Sequence, residues 1–265
     1  MRSTKNLAVI LVLAVQLSAQ TAVVGGSGTA TLAPKEAAAP KADAGFHFSV
    51  TAPRPLALAL DSIRVKYGWL VSYEDPKYLF GKDVADAPDV KGSLIPGGAA
   101  FSVDVPASGS EPPSEDTLLK AVVDAYNKSG NPGQFEVRKS AEGAVSVVGI
   151  AARNEQGAVL PQKPLLDLPI TVPAAQRTIS DTLEIICKAL GKEAHIPVTI
   201  GITPRNLVDH ADVKAGGSMK PARRILAQAL GPSRHPLYWR LIFDPTGKAF
   251  VLNIHSLSGA KPVVH

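Results

Sequence analysis

One cysteine in 265 residues leaves this chain without an internal disulfide. Cys187 follows Leu183 by four residues and adjoins Ile186, which puts it on the core side of a helix. No activating cation adjoins it on that face, so it reads as a buried structural thiol and not a nucleophile. Aromatic residues are scarce at 5%, and with 45% hydrophobic residues the expected core is aliphatic. The N-terminal apolar run, Leu7 to Leu17, stops well short of the roughly 20 residues that cross a bilayer. Charge of one sign is not concentrated either. There are 28 Lys and Arg against 23 Asp and Glu, and the pair Arg223-Arg224, beside Ile225 and Leu226, reads as a solvated helix face. Nucleic-acid binding would want clustered cations, so no nucleic-acid partner is expected.

The N-terminus has the build of a secretory signal. Arg2 and Lys5 precede the apolar run, and Ser18, Ala19, Thr21 and Ala22 follow it, so residues 1–22 are expected to be removed after Ala19 or Ala22. No cysteine lies near this region, which argues against a lipid anchor. The mature chain would be periplasmic or secreted and would hold no transmembrane segment. Residues 23–44 are Gly, Ala, Pro, Thr and Lys without periodicity, the composition of a disordered linker.

What the chain does have is an internal repeat. Leu56, Leu60, Ile63 and Tyr67 recur as Ile179, Leu183, Ile186 and Leu190 at an offset of 123. Leu118, Val122, Ala125, Phe135, Val137, Gly143 and Val147 match Ala222, Leu226, Ala229, Trp239, Leu241, Gly247 and Val251 at an offset of 104. The drop places 19 extra residues in the first copy, within 76–114, as a lid or a disordered excursion. The first copy reads as a strand at Phe46–Val50, a helix opened by Pro55 and closed by Gly68, and a strand through Trp69, Val71 and Tyr73. A short strand Phe101–Val105, a helix capped by Ser114, and a hairpin about Glu142-Gly143 complete it. The second copy repeats the order. Leu166 to Val172 is a strand, Thr178 or Ser180 caps a helix ended by Gly191, and Ile196 to Ile200 is a strand. Asn206 to Val213 should hold a short strand, Pro221 opens a helix to Leu230, and a hairpin closes around Asp244 to Gly247. The fold class is therefore α+β, two tandem small domains, each β-α-β followed by β-α-β-β. The first spans 45–151 and the second 164–258, with a linker at 152–163 and a tail at 259–265.

Pro55-Leu56-x-x-Ala59-Leu60-x-x-Ile63, then Tyr67-Gly68, Val71 and Tyr73, resembles the opening of the secretin and TonB short N-terminal (STN) domain. Asp212 to Gly216, Ala229-Leu230-Gly231 and Trp239 to Ile254 look like that domain's second half. The first copy departs by its insertion, and the second by Arg177-Thr178-Ile179 in place of Pro-Leu. The resemblance implies a non-enzymatic periplasmic docking module of a bacterial envelope, linked to a secretion or outer-membrane transport system. Its partner would be another envelope protein, bound by edge-strand addition.

No catalytic, cofactor-binding or metal-ligating residue is assigned. The alternative is an envelope hydrolase or metal-binding protein using Asp209, His210 and Asp212, but a strand offers only His210 and Asp212 on one side. Ser233 and His235 lack a Gly-x-Ser-x-Gly elbow. Gly25 to Gly28 lacks the strand-before, helix-after context of a phosphate loop. Tyr238-Trp239-Arg240 could stack a ring, yet Trp239 aligns with Phe135 as a core position.

Overall fold

A computed structural model describes residues 44–140 and 143–257; the signal peptide, all but the last residue of the 23–44 linker, and the tail lie outside the described residues. The first half holds β1 (Phe46–Thr51), α1 (Pro55–Tyr67), β2 (Val71–Glu74), a 3-10 turn at Gly81–Asp83, and the short strands β3 (Val84–Asp86) and β4 (Leu94–Pro96). It continues with β5 (Ala100–Val105), α2 (Glu115–Lys128), β6 (Gln134–Lys139) and β7 (Val145–Arg153). The second half holds β8 (Val159–Pro161), a 3-10 turn at Leu165–Asp167, β9 (Pro169–Thr178), α3 (Ile179–Ala194) and β10 (Val198–Ile200). Then come α4 (Arg205–Val208), β11 (Asp212–Pro221), α5 (Ala222–Leu230), β12 (Leu237–Asp244) and β13 (Ala249–Ser256). The class is α+β.

Local chemistry sets the helix ends. Pro55 occupies the first helical turn of α1, where a missing N–H costs nothing, and Gly68 closes the helix at φ 73° with its N–H on the Arg64 carbonyl. The Ser114 hydroxyl caps α2 by accepting from Thr117 N, with Glu115 and Asp116 in the first turn. Thr178 caps α3 by accepting from Asp181 N at 3.0 Å. Gly191 does not end α3. The helix runs through it to Ala194 and closes at His195, in the left-handed region at φ 52°. A Cβ on Gly191 would come within 3.2 Å of the Ile196 carbonyl oxygen, so glycine there serves a close approach and not a helix stop. The strand expected from Asn206 to Val213 is instead the turn of α4, which seats Val208 in the core, followed by the ten-residue β11. Residues 152–163, expected as a bare linker, carry the end of β7 and β8, which pairs back onto β7.

The duplication is visible in the pairing. β1 pairs antiparallel with β5, and β9 with β11 in the same way. β2, β7 and β6 form a three-strand set whose counterpart is β10, β13 and β12, and all six lie in one sheet of order β10-β13-β12-β2-β7-β6. The join is a short parallel pairing of β12 with β2, Arg240 opposite Tyr73 and Leu241 opposite Glu74. Val71, Tyr73, Val145 and Val147 face α1 and α2 in one apolar cluster, which Phe46, Phe101 and Val105 of the β1–β5 ribbon close from beyond the helices. Trp239, Leu241, Phe243, Phe250, Leu252 and Ile254 face α3 and α5 in a second cluster. The two helix pairs therefore cover opposite faces of one sheet. Leu56, Leu60, Ile63, Leu118, Leu119 and Val122 are all fully buried, each worth about 1.5–3 kcal/mol of burial.

The hairpin register corrects one alignment. Val137 pairs with Val147 and Leu241 with Leu252, so the structural counterpart of Val147 is Leu252 and not Val251. A slip of one residue in a strand turns a side chain to the other face. Accordingly Val147 and Leu252 are buried in their cores, while Val251 is only half-buried.

The insertion folds as an arm across both halves. Tyr78 is buried in the second half's cluster, and Asp83, fully buried, is held by Arg153 of β7, with Arg153 Nε 3.0 Å from Asp83 Oδ2. β3 and β4 pair as a hairpin, and Leu94 N donates to Thr246 Oγ1 at 2.6 Å in the β12–β13 turn.

Candidate functional site

The greatest concentration of buried charge lies where the two halves meet. Glu74 and Asp75, at the end of β2, are 0% and 2% exposed. The Asp75 carboxylate accepts from Arg54 Nε at 2.7 Å, Tyr73 Oη at 2.6 Å, Tyr78 Oη at 3.2 Å and Phe243 N at 3.0 Å. Arg54 also donates to the Phe243 carbonyl. Burial by itself would lower the Arg54 pKa, but Asp75 beside it holds the guanidinium above its ordinary value. Arg54 sits in the left-handed region at φ 50°. A non-glycine residue stays there only where its surroundings over-determine it, and the Asp75 and Phe243 contacts do so.

Glu74 accepts from Leu166 N at 3.0 Å and from Arg223 Nη2 at 2.5 Å. Burial pushes its carboxyl above the usual carboxylate range, and Arg223 and the Leu166 N–H offset only part of that. Arg223 Nε reaches Asp167 at 3.0 Å, and Asp167 also pairs with Arg138 of β6. Arg223 is therefore not on a solvated helix face: its side chain is 14% exposed and ties α5 to β2. Arg224, next to it, is exposed as expected.

On the opposite face of the sheet, Asp61 of α1 pairs with both Arg64 and Arg240. Tyr238 lies under Arg64, with the guanidinium 4.3 Å from its ring centroid, and stacks on His255 at 5.2 Å. Burial, then Arg240 and Arg64, depress the His255 pKa to about 4. The unfolded imidazole titrates near 6.5. Between those values the unfolded chain binds more protons, so stability falls as pH drops from about 6.5 to about 4. His255 is half-buried, so solvent screening limits its share to roughly 1–2 kcal/mol. His255→Gln is expected to flatten this part of the urea-stability profile against pH. An unchanged slope would show that His255 does not carry it.

A cavity of about 370 Å³ opens on the second half's side of the sheet, between the β6–β7 hairpin, α5 and β12. Arg138, Lys139, Asp167, Arg223 and Arg224 bring charge to its wall, and Ala144, Pro221, Ala227 and Trp239 bring apolar surface. Two donors here have no acceptor among the described residues: Arg223 Nη1 and the indole Nε1 of Trp239, a residue only 4% exposed. An orphaned buried donor costs about 1–3 kcal/mol, so two at one cavity call for an explanation.

The residues singled out from sequence fall elsewhere. His210 and Asp212 are exposed at the start of β11, and Asp209 caps α4. Among the described residues no group of three or more His, Cys, Asp or Glu side chains is arranged to hold a metal ion. Cys187 is buried, and burial raises its thiol to about 12. His235 and Ser233 lie on the exposed turn after α5, where the only hydrogen bond between them is His235 N to Ser233 Oγ. Trp239 is in the core as its alignment with Phe135 implied, yet it also lines the cavity. Glu74, Asp75, Arg138 and Lys139 carried no expectation from sequence. An acidic pair directly after an alternating apolar strand was the available signal, since charge at a strand's end inside a repeat needs a partner to be buried.

No helix among the described residues is long and apolar enough to cross a membrane. No protein-family model, curated protein or solved structure matches the chain.

Proposed function

We propose that this chain is a non-enzymatic docking module of a bacterial envelope. In this reading it is built from two STN-like units, lies in the periplasm or outside the cell after loss of its signal peptide, and serves a secretion or outer-membrane transport system. The support is the residue pattern from Pro55 to Tyr73, its repetition, and one structural observation. The edge strand of one unit, β12, already adds in parallel to the edge strand of the other, β2. By the repeat, the counterpart of β2 is β10, and among the described residues β10 ends the large sheet with no strand beyond it. Phe250 N donates to the Pro197 carbonyl and Gly201 N to the Leu252 carbonyl. In a parallel ladder alternate residues bond to alternate sides, so Val198 and Ile200 turn their backbone groups outward. An open edge of this kind accepts a partner's strand.

The other end is guarded. The Asn127 side chain of α2 bonds both the N–H and the carbonyl of Phe135 on β6, at 2.9 Å each. The partner's strand is therefore assigned to β10. A photo-crosslinking residue at the exposed Thr199, in cells, is expected to give a discrete adduct with a second envelope polypeptide. Val198→Pro, which removes one outward N–H, should abolish that adduct while leaving the urea midpoint nearly unchanged. Absence of any adduct from Thr199, or one indifferent to Val198→Pro, would rule out β10 as the docking edge.

A further inference from the structure

We infer that the cavity between α5 and the β6–β7 hairpin is a binding site for one carboxylate on a small apolar body, the free end of a peptide chain. The inference stands on the cavity itself and does not require docking at β10.

The wall has more donors than acceptors. Trp239 is 4% exposed, and its indole N–H has no acceptor among the described residues; the same holds for the buried Nη1 of Arg223. The acceptors near Arg223 are already engaged, since Glu74 takes its Nη2 and Asp167 its Nε. An occupant must therefore supply acceptor oxygens, and the one remaining Arg223 nitrogen, Nη1, together with the indole N–H suits the two oxygens of a carboxylate.

Charge decides between one negative charge and two. Arg138 faces Glu136 and Asp167, Arg223 faces Glu74 and Asp167, and Lys139 faces Asp116. Only Arg224, exposed at the mouth, has no acid beside it among the described residues. The four cations are matched by the four carboxylates Glu74, Asp116, Glu136 and Asp167, so an occupant with one charge upsets the balance less than one with two. A phosphate dianion would bring a second charge toward Asp167, whose partners are already shared. Of the rest of the wall, Ala144, Pro221, Ala227 and the Trp239 ring are apolar, and Ser140 and Ser146 add two small hydroxyl side chains. At about 370 Å³ the cavity lies at the low end for small-molecule sites, room for a chain end with small side chains and not for a large acyl or aromatic group.

The test follows the Trp239 indole N–H by proton–nitrogen NMR on the whole mature chain, with Trp69→Phe identifying the second indole signal. N-acetyl-Ala-Ala with a free carboxylate is expected to move the Trp239 signal with a Kd on the order of 1 mM. The same peptide as its C-terminal amide should not move it, and inorganic phosphate should act at least tenfold more weakly. Arg224→Ala, at an exposed side chain that forms no ion pair among the described residues, should weaken the free acid about tenfold. Ala227→Leu should block binding by filling the cavity without altering charge. Three results would overturn the assignment: equal shifts by acid and amide, stronger shifts by phosphate, or no shift at about ten times the expected Kd.

Discussion

Asp75→Ala is expected to remove about 3–5 kcal/mol of stability. Asp75 is 2% exposed and accepts four hydrogen bonds, from Arg54, Tyr73, Tyr78 and Phe243 N. Without it the Arg54 guanidinium is left in the interior as an uncompensated charge, and two phenols and a backbone N–H lose their acceptor. Arg54 would also lose the contact that keeps its backbone at φ 50°. Against a total of about 5–15 kcal/mol for a typical protein, that is a large share. For a chain of this size it corresponds to a fall of about 10 °C in Tm. Asp75→Asn should cost less, since an amide oxygen keeps an acceptor without the charge. Urea denaturation of both variants is the measurement. A loss under about 1 kcal/mol for Asp75→Ala would mean that the cluster is solvated in solution.

The second large effect concerns Glu74 and Arg223, and its sign depends on whether one partner or both are changed. Arg223→Met leaves Glu74 fully buried with only the Leu166 N–H, and is expected to cost about 3–5 kcal/mol. Glu74→Met with Arg223→Met removes the buried charge altogether and should recover most of the loss, because paired desolvation nearly cancels the attraction. Any residue of the loss measures Asp167, which also uses Arg223. The pH profile distinguishes this from simple packing. Glu74 is raised by burial even in the intact pair, so the folded chain holds its proton to higher pH than the unfolded chain does. Stability from this group is therefore lost as pH rises from the unfolded carboxyl value through the raised folded one. Arg223→Met should steepen that fall, and the double variant should abolish it. If the two variants show the same slope, the carboxyl is not the seat of the effect.

Much of the scaffold was legible one element at a time. Leu56, Leu60 and Ile63 carry a helical period, and Pro55 and Gly68 mark its ends because their own backbones favour those positions. Ser114 and Thr178 cap helices for a local reason, an oxygen within reach of an N–H three residues on. Gly191 misled because glycine serves two ends, ending a helix or admitting a neighbour's backbone, and only the approach of the Ile196 carbonyl decides between them. Val251 misled because a constant offset ignores a one-residue change in a hairpin loop, which turns the face of the strand. The cavity was not legible at all. Its wall draws Arg138 and Lys139 from one half and Arg223, Arg224 and Trp239 from the other.

By itself, then, the order of residues determined that there are two copies of one β-α-β, β-α-β-β unit, because helical and strand periods, caps and turns act over a few residues. It also determined that the first copy carries an extra segment. Only the tertiary structure decided that β12 joins β2 and makes one sheet of both copies. That pairing brings Arg54 to Asp75 and Arg223 to Glu74, and among the described residues four buried donors, Arg64 Nε, Arg223 Nη1, Trp239 Nε1 and Arg240 Nε, are left without acceptors. Buried charge is tolerated only with its partner present, and for Glu74 the partner lies 149 residues away.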